Sequence, residues 1–393
     1  MTPDIAPAAA GGPRPLSVLL VGDYPPDATL GSSKVFYKLR EEFEALGHRC
    51  DIVFGDEIGA PAFRQIGQLV TPLRAGSAIV RRMENTRYDV LDVASAESLW
   101  IGLLKQIGAY RDTALICRSN GLEHLNYRRM IDDHDAGLTR KGWTRRIWYP
   151  LTRLSQVAIA ARAADRLLLL NDVDRRFALE RGWQVEDRID VVPHGVSERY
   201  LQDQPGSASR GHGLLFCGTW DNMKGIAYLV AAFDRLCASG RAWPLTILGP
   251  GVPADAVMSS FSAAARPFIR IVARTPEEDV IRMFRTHDVL VWPSTYEGFG
   301  LVLIEAMSQE LAVVATPVGC APAVARDGEN ALIVPPRDAD AIAAAVEKLM
   351  GDSGLRRRLG AAARQSVVGM SWRATALKTL DVYARARGDA AAA

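Results

Sequence analysis

Twelve short apolar runs punctuate the chain, most of them bounded on at least one side by glycine, proline or a charged residue. In the first half they are Ser17 to Val21, Asp51 to Phe54, Tyr88 to Val93, Ala114 to Arg118, Ala164 to Leu170 and Ile189 to Val192. In the second half they are Leu214 to Cys217, Leu245 to Leu248, Ile269 to Ala273, Asp288 to Trp292, Leu311 to Ala315 and Ala331 to Val334. Runs of four to seven residues, apolar on both faces, read as strands of buried parallel sheets. Between them the period lengthens. Val35, Leu39, Phe43 and Leu46 share one helical face and stop at Gly47; Ile226 to Cys237 and Ala341 to Met350 are also amphipathic. Strand and helix in regular alternation predict an α/β protein with parallel sheets.

The rhythm breaks between Ser197 and His212, where Gln202-Asp203-Gln204-Pro205-Gly206-Ser207 reads as an interdomain linker. The expected organisation is therefore a tail over 1–15, a Rossmann-like domain over 16–196, a linker over 197–212 and a second such domain over 213–370. An amphipathic segment over 371–387 and a low-complexity tail over 388–393 follow. A length of 393 residues suits two cores better than one.

Composition narrows the function. Net charge is +2, with 48% apolar and 23% charged residues, which suits a soluble globular protein and offers no field for nucleic acid. Cys50, Cys117, Cys217, Cys237 and Cys320 are scattered, without the paired spacing of a zinc site or a disulfide framework. No basic, apolar export signal opens the chain and no apolar run approaches 18 residues, so the expected location is cytoplasmic.

The densest chemistry lies in Trp292-Pro293-Ser294-Thr295-Tyr296-Glu297-Gly298-Phe299-Gly300-Leu301-Val302-Leu303-Ile304-Glu305-Ala306. An apolar strand ends, a glycine-rich turn follows, and a helix begins. The free N–H groups of a helix start, aligned with its dipole, favour a phosphate. Glu297 precedes the turn, and Glu305 lies about 7.5 Å along the helix from Gly300 at about 1.5 Å per residue. That separation suits one acid at a sugar and the other at a ribose, with a diphosphate between them. This stretch resembles the donor-site motif of retaining glycosyltransferases of family 4, the glycosyl transferases group 1, and the resemblance runs from about Leu16 to Arg385.

The resemblance implies a GT-B fold, with two Rossmann-like domains facing across a cleft and a C-terminal helix crossing back to the first. The second domain would hold a nucleotide-diphosphate sugar of UDP or GDP type, and the first an acceptor. Gly218, Thr219 and Lys224 resemble the loop that cradles the donor phosphates, with Lys224 neutralising charge on the leaving group. Many relatives carry an arginine there as well, where this chain has Thr219, Trp220 and Met223. Gly298, Phe299, Gly300, Leu301 and Val302 would form the helix-start site. Glu305 would take the ribose, and Glu297 the sugar as its catalytic carboxylate. Arg274 is either a contact near the base or a surface residue, and Thr316-Pro317-Val318-Gly319 either flanks the donor or is a structural turn. In the first domain Gly31 and Ser32 resemble a loop that closes on the phosphates. Relatives place a histidine near the reacting sugar; here either Asn120 or His124 holds that catalytic position.

Between Asp135 and Asp165 lie Arg140, Lys141, Arg145, Arg146, Arg153 and Arg162 with Trp143, Trp148 and Tyr149, and no acid. Basic and aromatic residues together suit an anionic membrane surface; a solvated helix face over core aromatics is the plainer reading. The expected activity is a retaining, metal-independent transfer of a sugar to a hydroxyl acceptor, lipid-linked or part of a cell-surface polysaccharide. The protein would then sit peripherally on the inner face of the cell membrane. A small soluble acceptor is one alternative and a nucleotide-sugar epimerase another. A dinucleotide dehydrogenase is disfavoured because no GxGxxG follows the first strand.

Overall fold

The computed structural model describes residues 14–28, 30–59, 64–139, 144–202 and 210–392, without the side chains of 64–66, 144–145 and 389–392. All twelve apolar runs are strands. The first six are β1 (Ser17–Val21), β2 (Arg49–Val53), β3 (Val90–Ala94), β4 (Ala114–Arg118), β5 (Arg166–Leu169) and β6 (Ile189–Val191). The second six are β7 (Leu214–Cys217), β8 (Leu245–Leu248), β9 (Ile269–Val272), β10 (Val289–Trp292), β11 (Ala312–Ala315) and β12 (Leu332–Ile333). They form two parallel six-stranded sheets, ordered β2-β1-β3-β4-β5-β6 and β12-β11-β10-β7-β8-β9. Each strand order reverses direction once, and at such a switch point the loops beyond the carboxyl ends part to make a crevice. Helices cover both faces of each sheet, which is why the central strands β3, β4 and β10 are buried at every position.

The helix Trp372–Ala392 leaves the second sheet and packs on the first. It extends past Arg387, where the amphipathic pattern ends. Trp372, Ala376, Val382, Tyr383 and Ala386 join a core that contains Val18, Leu20, Phe36, Leu39 and Phe43. Two strands of chain thus connect the halves, and they lie side by side. Val196 N–H donates to Met370 O at 2.7 Å, and a Cβ on Gly195 would fall 2.3 Å from the Ser371 carbonyl carbon. Of the polar stretch between the sheets, residues 203–209 lie outside the described residues; its first part, Glu198–Gln202, is helical.

One polar cluster fastens this return helix. Arg118, at the end of β4, is fully buried and donates from Nε to both carboxylate oxygens of Asp92 on β3, at 2.9 and 3.0 Å. Tyr383 on the return helix donates its hydroxyl to the same carboxylate. A buried charge needs partners of this kind, because taking it out of water costs several kcal/mol; of the guanidinium nitrogens, Nη1 has none. Tyr383→Phe should therefore lower stability by about 1.5–3 kcal/mol, the range for a hydrogen bond to a charged group. Asp92→Asn, which strands the Arg118 charge, should cost more, about 3–5 kcal/mol. Urea melts of both variants check the order; equal losses would mean that Arg118 finds another partner.

Candidate active site in the cleft between the sheets

The cleft is built from the carboxyl ends of strands in both sheets and holds about 660 Å³. On the C-terminal side, β10 ends at Trp292 and the helix Leu301–Ser308 begins after Gly300. Gly300 sits at φ 99°, and a Cβ there would meet the Trp292 ring at 2.6 Å, so the turn needs a glycine twice over. The first-turn N–H groups of that helix have no partner within the helix. β7 delivers Gly218 and Thr219, and then Lys224 and Gly225. Gly225 (φ 72°) presses against Pro293, where a Cβ would lie 1.9 Å from the carbonyl oxygen. This close packing brings the β7 loop and the β10 loop together.

Lys224 Nζ donates to both oxygens of Glu297 at 2.8 Å, and Ser294 Oγ donates to one of them at 2.7 Å. Glu297 is buried, so the pair is the main charge compensation of that corner. Glu305, also buried, has a partner from the other half of the molecule: Lys34 Nζ lies 2.8 Å from Glu305 and 3.1 Å from Glu277. Burial alone would lower the Lys34 ammonium, but Glu305 and then Glu277 outweigh it and hold the group above its ordinary value. Lys34 lies one turn into the helix Gly31–Ala45, whose first residues, Gly31 and Ser32, also face the cleft. Arg274, past the end of β9, lines the same space. Among the described residues no three His, Cys, Asp or Glu side chains gather to hold a metal ion.

Of the two residues considered for the acceptor-side position, Asn120 faces the cleft and His124 does not. Asn120 Nδ2 donates to Tyr24 Oη at 3.1 Å, and its Oδ1 is buried without a partner. His124 lies one helical turn beyond, packed on Trp183 (4.8 Å) and Phe177 (5.6 Å). Burial, and then the charges of Arg181, Arg128 and Arg162, push it down to about 4, so it is a neutral ring in an aromatic cluster. The histidine at the cleft is His194, which follows β6. It stands 5.0 Å from the Phe299 ring, and burial with the nearby Arg118 charge pushes it down to about 3. Phe299 itself turns into the core, leaving its backbone to the cleft.

Behind Asn120, a buried acid, Glu97, follows β3 and a partly buried one, Glu123, follows β4. Arg153 binds Glu97 (3.1 Å) and Glu123 (3.1 Å), and Ser95 Oγ donates to Glu123 at 2.7 Å. Burial raises Glu97, against the lowering effect of Arg153. Asp174 is pushed up to about 7 by burial, with Glu123 adding to the effect, and its Oδ2 has no partner. Glu123 Oε2 and Asn120 Oδ1 are likewise unpartnered. Of these residues Asn120 lines the cleft, and the acids stand behind it.

Residues 201–366 match the family described as glycosyl transferases group 1. The chain carries a glycosyl transferases group 1 domain. That domain supplies β7 to β12, the Lys224–Glu297 pair and Glu305. Over 263 residues the chain is 34% identical to a D-inositol 3-phosphate glycosyltransferase of Kineococcus radiotolerans, covering 58% of this chain and 59% of that protein. It is 31% identical to a phosphatidyl-myo-inositol mannosyltransferase of Mycolicibacterium smegmatis, covering 53% and 56%. The chain thus spans somewhat over half the length of these relatives. Similarity to solved structures is wider. A sucrose-phosphate synthase of Thermosynechococcus elongatus superposes with a TM-score of 0.74 at 20% identity, covering 94% and 98% of the two chains. The Anabaena protein HepE in complex with UDP and glucose gives 0.67 at 14%, covering 93% and 98%. The fold is GT-B, with two parallel α/β sheets facing across the cleft.

Sequence reasoning did not find Lys34, Glu277, His194 or the Glu97–Arg153–Glu123 network. A faint signal existed for two of them. Lys34 stands one turn from Gly31-Ser32, and Pro193-His194-Gly195 ends a strand.

Two outcomes follow from these charges. Lys34→Met leaves Glu277 and Glu305 facing each other without their shared cation, so the empty cleft should widen. Small-angle scattering without nucleotide should show a larger radius of gyration, and an unchanged profile would assign closure to other contacts. Asp174 keeps its proton in the folded state up to about pH 7, whereas the unfolded carboxyl loses it near 4. The folded state binds more protons across that window, so this group's contribution to stability falls as pH rises from about 4 to 7. Asp174→Asn removes the dependence, and its Tm relative to the parent should climb over that interval; a constant difference would refute the assignment.

Proposed function

We propose that the protein is a retaining, metal-independent glycosyltransferase of family 4, which moves a sugar from a nucleotide-diphosphate donor to a hydroxyl acceptor. One observation carries this reading: Lys224, Glu297, Glu305 and the Gly300 helix start converge on a single cleft whose opposite wall carries Gly31, Ser32 and Asn120. The diphosphate lies over the first turn of the Leu301 helix, where N–H groups and the dipole favour negative charge. Lys224 passes from Glu297 to the phosphate, stabilising the charge that grows as the leaving group departs. Glu305 exchanges Lys34 for the ribose hydroxyls. Lys34, which arrives from the opposite wall, is then free to meet the phosphates in place of the arginine that the β7 loop lacks.

In the chemical step the bond from the anomeric carbon to the phosphate oxygen breaks as the acceptor oxygen attacks from the same face. The acceptor's proton passes to the departing phosphate. No enzyme nucleophile takes part. Glu297, released from Lys224, holds the sugar and stabilises the positive charge that develops at its ring. The acceptor is a lipid-linked or cell-surface polysaccharide intermediate. The relative named for a phosphatidyl-myo-inositol substrate supports that choice. HepE, crystallised with UDP and glucose, supports a nucleotide sugar as donor.

Calorimetry in chelator with UDP and GDP should show binding of at least one. Lys224→Ala should weaken it about 10- to 100-fold, as expected for loss of a charged contact of about 1.5–3 kcal/mol. Steady-state kinetics should then separate the acids. Glu305→Gln raises the donor KM, since the ribose contact is equal in ground and transition states. Glu297→Gln lowers kcat about 100-fold or more, since its charge acts on the transition state. A wild-type kcat for Glu297→Gln would place catalysis elsewhere.

A further inference from the structure

One face of the N-terminal half carries large apolar side chains at helical spacing, pointing outward. On the helix Arg64–Asn85, Leu69 (48% exposed) and Leu73 lie four residues apart, and the same stripe continues through exposed Ser77 to exposed Arg81. On the helix Leu99–Gln106 and just beyond it, Trp100, Leu103 and Ile107 (80% exposed) form a second stripe that leads to exposed Arg111. The segment from Thr144 to Ala163 adds Ile147, Trp148 (63%), Leu151 (64%) and Ile159. A helix of a soluble protein turns such a stripe toward its core. Here the core-facing positions are already filled, and a second apolar stripe faces water.

The three segments are one surface. Trp100 lies across Gly76, where a Cβ would come within 2.4 Å of its ring. Gly102 lies against Ala163, with 2.7 Å between a Cβ there and the Ala163 methyl. Gln156 Nε2 donates to Leu69 O at 2.9 Å. Charge follows the same outline. Residues 58–83, 98–111 and 136–164 contain no aspartate or glutamate, whereas each contains arginine, and the second and third contain lysine. Of the residues named from sequence for membrane contact, Arg140, Lys141 and Trp143 lie outside the described residues, as does the Arg145 side chain.

We propose that this three-helix face is a platform that seats the protein on an anionic lipid bilayer. This deepens the lipid-carried-acceptor reading and rests on it only for its purpose. Apolar stripes enter the acyl boundary while arginines at their ends meet lipid phosphates, the arrangement of an interfacial rather than a spanning element. No helix among the described residues is long and apolar enough to cross a membrane. A second copy of the chain fits less well, because a two-fold contact would set this basic rim against itself. Arg153, two residues beyond Leu151, binds Glu97 and Glu123, and Glu123 stands three residues after Asn120, which lines the cleft. An acceptor whose anchor stays in the bilayer would thus present its hydroxyl groups beside Asn120.

The test is sedimentation of the full chain with vesicles of phosphatidylcholine alone or with 30% phosphatidylglycerol (about 0.1 M salt), with nucleoside diphosphate affinity measured on the same samples. The parent should sediment with the anionic vesicles and be partly released at about 1 M salt, where the Debye length falls to about 3 Å. The triple variant Leu73→Gln, Leu103→Gln, Ile107→Gln should lose about tenfold or more in vesicle partition. Arg81→Gln with Arg111→Gln should flatten the salt dependence. Both should keep parental circular dichroism and nucleotide affinity. Absent sedimentation of the parent, or parental partition of both variants, overturns the platform. A concentration-dependent dimer in light scattering that the triple variant abolishes would overturn it in favour of self-association. Loss of nucleotide binding in every sample, parent included, would count against the donor reading and leave the platform to be judged by sedimentation alone.

Discussion

Buried charge must be balanced locally, and this molecule places most of its balancing partners on different pieces of chain. Glu297 is met by Lys224 from another loop, Glu305 by Lys34 from the other half, and Asp92 by Arg118 and Tyr383 together. A lone carboxylate in such surroundings would take up a proton or pull in water. Each pair therefore constrains the placement of two distant segments at once. The empty cleft keeps its charges in balance because its own lysines already meet its acids. Under the function proposed above, donor binding would be an exchange of partners, in which charge compensation passes from protein to ligand without leaving an acid bare.

The parallel sheets were legible because burial on both faces leaves an unmistakable apolar run. β1, β4, β7 and β8 have the bounds that the runs predict, and the other strands differ only at their ends. The glycine turn before Leu301 was legible for a related reason, since its chemistry is written in contiguous residues. Lys34 was not, because its partners Glu277 and Glu305 are 243 and 271 positions away. Neither was the choice between Asn120 and His124. Both follow β4, and only the docking of Phe177 and Trp183 decides that the histidine is packed away. The exposed stripes on the first half illustrate the opposite difficulty. Leu69, Leu73, Leu103 and Ile107 have the spacing of core residues, and only the three-dimensional packing shows that other side chains already fill the core.

The two halves meet with a division of labour that follows from their connectors. The return helix and the chain near Gly195 hold the backs of the sheets together, while Lys34 and Arg337 hold the front. Arg337, at φ 67°, reaches Asp133 at 2.7 Å on the other side of the cleft. Asp133 also takes Arg129 at 2.6 Å, so the front contact is a small ion network rather than one bond. Contacts of this kind, with water nearby, exchange more readily than an apolar seam, which suits surfaces that part to admit a ligand.

Gly121 and Gly298 touch across the cleft, backbone to backbone. A Cβ on Gly298 would stand 1.9 Å from the Asn120 carbonyl oxygen, and one on Gly121 would stand 2.5 Å from the Gly298 Cα. Neither glycine can acquire a side chain while the other stays in place, so the two positions are tied although 177 residues separate them. One methyl group at either site would act as a spacer of atomic thickness. It would prop the jaws ajar without touching any charged group, and the two walls of the cleft would become separate halves on one molecule.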